Sequence, residues 1–264
     1  MAIKDDFLAR RPWLQRNAYL DRIATLRDSI PPEFEKPLTP VVDARAAYYD
    51  NECKFFIAYG GHGCGKSTYA SQCLAECNET WDPEVLKSFI VWKPEMFGDV
   101  VTYAEKEDKR FMMLVADDAG VWLNALKWNH PLLVALTEYF DVIRMHFASV
   151  MFTSPFPMHI VKRIRGLPQA ITIKIIKVNN NPSKPRLANG YLETRLPDLK
   201  KTNIKHLFED KFFAIMPNKF YNWYYPMRKG FTTEAYQKVR ERIMQYKLEQ
   251  QIHMPKESLI VRNP

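Results

Sequence analysis

Residues 60–68 read Gly-Gly-His-Gly-Cys-Gly-Lys-Ser-Thr, so Gly60, Gly65, Lys66 and Ser67 fill every fixed position of the pattern G-x-x-x-x-G-K-[ST]. These residue types suit the binding of a polyphosphate. Glycines let successive backbone N–H groups converge on phosphate oxygens, and a helix that starts at such a turn adds the positive end of its dipole. Within Gly60, Gly61, His62, Gly63, Cys64, Gly65, Lys66, Ser67 and Thr68, the Lys66 ammonium is spaced to reach the β- and γ-phosphates of a nucleotide. The Ser67 hydroxyl is spaced to ligate Mg²⁺. Farther along, the apolar run Phe111-Met-Met-Leu-Val-Ala116 ends in Asp117-Asp118. A buried strand that presents an acid at its carboxyl end complements such a loop, with Asp117 holding the metal directly or through water. Asp118 is then placed to orient and deprotonate an attacking water. Against this stands a plainer reading, two acids capping a strand end in a solvated turn.

The loop can do this chemistry only between a strand and a helix. Lys54-Phe-Phe-Ile-Ala-Tyr59 before it is an apolar run suited to a buried parallel strand. Ser67–Cys77 after it has helical composition, with Tyr69, Cys73 and Cys77 on one face. Further strands are expected at 88–92, 111–116, 147–152 and 170–178, and helices around 67–78, 95–105 and 131–146. That alternation predicts an α/β fold, a three-layer sandwich with a parallel central sheet and right-handed crossovers. The strand at 147–152 runs into Thr153-Ser154, a polar pair that resembles the sensor position of additional-strand P-loop ATPases, a likeness that implies contact of either hydroxyl with a γ-phosphate or an attacking water. A simple strand-end turn before Pro155 is the alternative. Met158–Arg165 reads as a short basic helix. Arg163 and Arg165 are candidates to act as arginine fingers toward a neighbouring subunit, with Arg144 a weaker one; nucleic-acid contact or plain solvation are the other readings.

The flanks differ in character. Residues 1–52 read as an N-terminal helix over 5–29 followed by a stiff linker containing Pro31, Pro32, Pro37 and Pro40. Residues 53–178 form the core, and 179–264 a basic α+β C-terminal region. In that region 179–190 reads as a loop, 191–196 as a return strand, and 233–251 as a helix. The aromatic cluster at 220–231 is suited either to stacking on unpaired bases or to capping the sheet. The 264 residues are 47% hydrophobic, enough for a sizeable core. No stretch of about 18 apolar residues signals a membrane span. The first residues lack the apolar region of a signal peptide, so an intracellular location is expected. The four cysteines include Cys73 and Cys77, four apart, but further zinc ligands at suitable spacing are missing and buried thiols are expected. Net charge is +8 and unevenly spread. Residues 1–153 carry 17 Lys and Arg against 22 Asp and Glu, whereas 154–264 carry 21 against 8. A strongly basic C-terminal part favours a nucleic-acid partner, because neutralising phosphates releases counterions. A solubilising surface or heat adaptation is the alternative.

Taken together, the Gly-Lys-Ser loop, Asp-Asp-Ala-Gly-Val-Trp-Leu at 117–123 and Phe-Thr-Ser-Pro at 152–155 give a resemblance. Mainly over residues 54–178, the chain resembles P-loop ATPases of the additional-strand or AAA type, DnaA-like, encoded by viruses and plasmids of hyperthermophilic archaea. The resemblance implies ATP and Mg²⁺ as ligands and ATP-driven work on DNA, such as replication initiation, partition or packaging. It implies a homo-oligomer, with a ring as one form of it, acting in the host cytoplasm or associated with the virion. Many ATPases of this layout carry Glu where Asp118 stands. A sensor-2 arginine and a DnaA-type DNA-binding signature are not evident. Two other functions fit the loop: a small-molecule or nucleoside kinase, with Asp117 as base, and a DNA-binding module switched by ATP with little turnover. A GTPase is disfavoured because Asn218-Lys219 is followed by Phe220 and not by the x-Asp of guanine recognition.

Overall fold

The computed structural model describes residues 37–252 except 128, 168, 178–183 and 197–200. The expected helix at 5–29 lies outside the described residues. Pro40, assigned to the linker, instead stands in the first turn of α1 (Thr39–Tyr49), where its fixed φ and missing N–H cost nothing. Val41, Ala44 and Ala47 form the buried face of that helix.

Strand β1 (Lys54–Tyr59) buries Phe55, Phe56, Ile57 and Ala58 in succession. That continuous burial belongs to a central parallel strand covered on both faces. The phosphate-type loop follows, then α2 (Lys66–Cys77), which buries Tyr69, Ala70, Cys73, Leu74 and Cys77. The chain continues through α3 (Pro83–Leu86), β2 (Ile90–Val91), α4 (Pro94–Glu107), β3 (Leu114–Ala116), α5 (Ala119–Trp122) and α6 (Pro131–Tyr139). It then forms β4 (Ser149–Ser154), α7 (Lys162–Arg165), β5 (Ile171–Ile176), β6 (Arg186–Leu196), β7 (Lys201–Phe212) and α8 (Asn218–Ile252).

One seven-stranded sheet runs through the core in the order β2-β3-β4-β1-β5-β6-β7. The strands from β2 to β5 pair in parallel, and β6 and β7 add an antiparallel hairpin. The fold is therefore mixed α/β with a mostly parallel central sheet, as the alternation of elements predicts. Strand β4 lies between β1 and β3. Ala58 is level with Thr153 and Ala116 with Phe152, so the carboxyl ends of β1, β3 and β4 open on one edge. Open parallel sheets bind ligands at that edge.

Several expected elements change length. The strand expected at 111–116 keeps regular pairing only from Leu114, and Phe111 makes a single bridge to Phe147. The return strand begins at Arg186, inside what reads as a loop, and pairs Ile173 with Gly190 and Ile176 with Leu187. Strand β7 is not visible in the sequence pattern. It is an edge strand whose described residues are mostly exposed, and its Lys, Asn, His, Glu and Asp supply no apolar alternation. Helix α8 starts at Asn218, so the aromatic cluster is helical. Phe220 is fully buried and meets Trp81 edge-on at 5.2 Å, which is core packing at that position. The chain divides into two units, one through Tyr221 and one from Asn222. The described part of the second is the remainder of α8, which exposes Tyr236, Val239, Ile243 and Tyr246 at three- and four-residue spacing. Among the described residues no helix is long and apolar enough to cross a membrane.

Candidate functional site

The loop leaves β1 at Gly60 with φ +149, and a Cβ there would stand 2.6 Å from the Ile175 carbonyl oxygen. Gly65, at φ +101, is the left-handed residue that turns the chain into α2. A side chain at either position would distort the turn. Among the described residues no side chain caps the first turn of α2, which leaves its N–H groups the capacity to bind an anion. Lys66 is buried. Its ammonium donates to the carbonyl oxygens of Gly60 at 2.9 Å and Gly61 at 3.0 Å, which holds the positive charge across the mouth of the loop. Cys64 is buried with Sγ 3.9 Å from that nitrogen, while His62 is exposed.

Asp117, 1% exposed, is the hub of the site. Its Oδ1 accepts hydrogen bonds from the Ser67 hydroxyl at 2.8 Å and the Thr153 hydroxyl at 2.6 Å. Its Oδ2 accepts from the Trp92 indole at 3.1 Å, and its carbonyl oxygen from the Trp122 indole at 3.0 Å. Elements far apart in sequence thus converge on one carboxylate: α2 gives Ser67, β4 gives Thr153, the end of β2 gives Trp92 and α5 gives Trp122. Ser67 and Asp117 form a hard-oxygen pair at the mouth of the loop. That donor set fits Mg²⁺, which takes one or two protein oxygens and completes its octahedron with water and substrate phosphate.

Asp118 follows with φ +48, a left-handed turn that ends the strand and starts α5. Its backbone N–H donates to Thr153 Oγ1 at 2.8 Å, so Thr153 bridges the two acids. Of the two hydroxyl candidates only Thr153 reaches the acid pair. Ser154 donates to the Phe156 carbonyl oxygen at 2.7 Å and serves the turn after β4. The structure does not bring Arg163 or Arg165 to the loop of its own chain. Arg163 pairs with Asp141 at 2.7 Å on the surface, and Arg165 folds back to the Ile160 carbonyl oxygen at 2.8 Å. Arg144 is exposed on the turn before β4.

Cys73 and Cys77 are buried free thiols. Burial pushes the Cys77 thiol up to about 12 and that of Cys73 well above its ordinary value, which leaves them poor metal ligands. Among the described residues no group of three or more His, Cys, Asp and Glu side chains is arranged to hold a metal ion.

Three residues at the site escape sequence reasoning. In the sequence Trp92 is only the end of an expected strand, and Trp122 only part of a run. Arg186, the first residue of β6, donates from Nη1 to the Gly63 carbonyl oxygen at 2.6 Å. No local pattern links an arginine to a loop more than a hundred residues earlier.

No family model matches the chain. An uncharacterized protein, B-251, of Sulfolobus spindle-shape virus 1 is 24% identical over 145 residues, covering 53% of this chain. The match spans 56% of the length of that viral protein. Among solved structures, the N-terminal domain of zonular occludens toxin from Neisseria meningitidis aligns with a TM-score of 0.37 at 12% identity, over 60% of this chain and 95% of that one. A KaiC-like protein from the hyperthermophilic archaeon Pyrococcus horikoshii aligns with a TM-score of 0.29 at 14% identity, over 59% and 89% of the two chains.

Proposed function

We propose that the chain is a Mg²⁺-dependent ATPase that acts on DNA. The observation that carries the ATPase reading is the network joining Ser67, Asp117 and Thr153 beside the Lys66 loop. It supports a triphosphate lying along the loop, with Lys66 and the free N–H groups of α2 on the β- and γ-phosphates. Ser67 and Asp117 would hold Mg²⁺, which when bound supplies charge neutralisation for the departing phosphate. Thr153 fixes the Asp117 carboxylate and the backbone of Asp118, so the second acid is held at a set distance from the metal ligand. Asp118 orients a water for in-line attack on the γ-phosphate and accepts its proton. The protein's contribution is chiefly positioning and charge stabilisation.

The DNA half of the proposal is supported by charge. Residues 154–264 carry 21 Lys and Arg against 8 Asp and Glu. Arg163 and Arg165 lie within that basic part, where they are available to DNA or to the nucleotide of a neighbouring copy. The family resemblance extends the proposal to replication initiation, partition or packaging for a viral or plasmid element. It also extends it to a homo-oligomeric, ring-forming assembly in the host cytoplasm or on the virion.

The test is ATP turnover with and without single- and double-stranded DNA, with particle size measured in ATP. Turnover stimulated by DNA and abolished by Lys66→Ala is expected. Phosphate appearing on an added small-molecule acceptor would identify a kinase, and tight binding without turnover an ATP-operated switch. Failure of any nucleic acid to bind would refute the DNA half alone.

A further inference from the structure

Arg186 is 9% exposed, yet among the described residues its charge has no partner of opposite sign. Its Nη1 is engaged by the Gly63 carbonyl oxygen at 2.6 Å. The same Nη1 and the Cδ lie 3.1 and 3.4 Å from the place where a Cβ of Gly65 would stand, so the side chain lies against two glycines of the loop. The Nε atom is buried, and among the described residues it has no hydrogen-bond acceptor. Among the described residues no carboxylate forms an ion pair with this guanidinium. Burial holds its pKa below the ordinary arginine value, and the opposing influence comes from the Cys64 thiol. A guanidinium taken out of water without an anion costs more than one carbonyl contact returns.

The neighbours of the site indicate which anion is missing. Strand β6 lies beyond β5, on the side of β1 opposite to β4 and β3. Asp117 and Thr153 therefore approach the loop from one side and Arg186 from the other. We infer that Arg186 is a phosphate-binding residue supplied by the same chain, and that the polyphosphate of a nucleotide on Gly60–Thr68 is the counter-charge of its buried guanidinium. The inference rests on reading that loop as a nucleotide site. A planar fork of N–H donors suits a phosphate better than a lysine would. Because Arg186 stands away from the two acids, its contribution is to affinity, shared by ATP and ADP, and not to the chemical step.

The experiment compares the full chain with Arg186→Met, Arg186→Lys and Lys66→Ala by titration with fluorescent ATP and ADP analogues and by thermal melting with and without MgATP. Arg186→Met should weaken both nucleotides by about tenfold or more, the loss expected for charge-assisted hydrogen bonds. Arg186→Lys should recover part of that loss. In the nucleotide-free protein Arg186→Met should melt at or above the wild-type temperature, since it removes an unpaired buried charge, while its stabilisation by MgATP shrinks. Unchanged affinity in Arg186→Met would overturn the inference while leaving the nucleotide site intact. So would a lower melting temperature of the free protein together with wild-type affinity in the folded fraction, the signature of a purely structural clamp. Binding of neither nucleotide by the wild-type chain would instead remove the loop reading itself.

Discussion

Thr153→Val separates the role of one hydroxyl from the packing around it. Valine keeps the shape of threonine, so the perturbation is the loss of two hydrogen bonds. One is donated to Asp117 Oδ1 at 2.6 Å, and the other is accepted from the Asp118 N–H at 2.8 Å. A hydrogen bond to a charged group is worth about 1.5–3 kcal/mol, and a backbone N–H left unpaired costs about 1–3 kcal/mol. The added methyl returns about 0.8 kcal/mol of burial in a site where Thr153 is fully enclosed. The net expectation is a loss of about 3 kcal/mol. At roughly 2–4 °C per kcal/mol for a chain of this size, the melting temperature should fall by about 6–12 °C. Turnover should fall by a further factor that stability does not explain, because Asp118 loses its tether. Calorimetry and steady-state ATPase assays on the folded protein measure the two separately. Thr153→Ser keeps the hydroxyl and should recover most of both. If Thr153→Val melts with the wild type, or if Thr153→Ser is the more damaged variant, the hydroxyl bridge is not what holds the acid pair.

Three further outcomes follow from the same packing. Tyr69→Phe removes the hydroxyl that donates to Asp210 Oδ2 at 2.6 Å. Asp210 keeps the N–H and hydroxyl of Thr39, so urea unfolding should show a loss of about 1–2 kcal/mol with little change in turnover. Glu76 is half-buried, and burial, with Asp210 nearby, raises its pKa above the ordinary 4.5. Its folded form holds a proton more tightly than the unfolded one, so this group favours folding below about pH 4.5 and that contribution is lost as pH rises through the folded value. Glu76→Gln should therefore raise the melting temperature at pH 7, with the gain vanishing at pH 4; an equal gain at both would refute it. Cys73 and Cys77, buried and held as thiols, should resist alkylation at pH 8 in the native protein and react only on unfolding, as peptide mass analysis would show.

The parts legible in the sequence are those whose physics is local. A nine-residue loop, an apolar run ending in two acids and a strand ending in two hydroxyls each announce themselves in a short window. The parallel character of the core follows from the same alternation of strands and helices, whereas the place of β4 between β1 and β3 is a fact of the sheet alone. What stayed hidden depends on tertiary placement. Strand β7 is an edge strand with both faces largely wet, so no apolar period marks it. The aromatic run at 220–231 is dense enough to resemble a strand, a loop or a binding patch, and only the burial of Phe220 against Trp81 reveals its inward side. Trp92 and Arg186 reach the site because β2 and β6 flank it at opposite ends of the parallel core, a fact of sheet order alone.

The two ambiguous pairs of the sequence, Asp117-Asp118 and Thr153-Ser154, are separated by strand geometry. Successive side chains of a strand point to opposite faces, so one member of each pair must turn away from the other's partner. Thr153 is level with Ala58 and Ser154 with Tyr59, which ties the parity of β4 to that of the loop strand. That parity sends the Thr153 hydroxyl to Asp117 and the Ser154 hydroxyl to its own turn. The acids would obey the same alternation, but Asp118 escapes it by leaving the strand at φ +48. Its N–H then donates to Thr153 Oγ1. A non-glycine residue in the left-handed region carries a conformational cost, and Asp tolerates it better than most. The shorter acid at this position thus has a backbone reason to stand beside a metal-type ligand. Restoring the longer carboxylate by Asp118→Glu should cost stability at the turn even if the carboxylate still reaches the water, and lower melting together with retained turnover is the expected pairing.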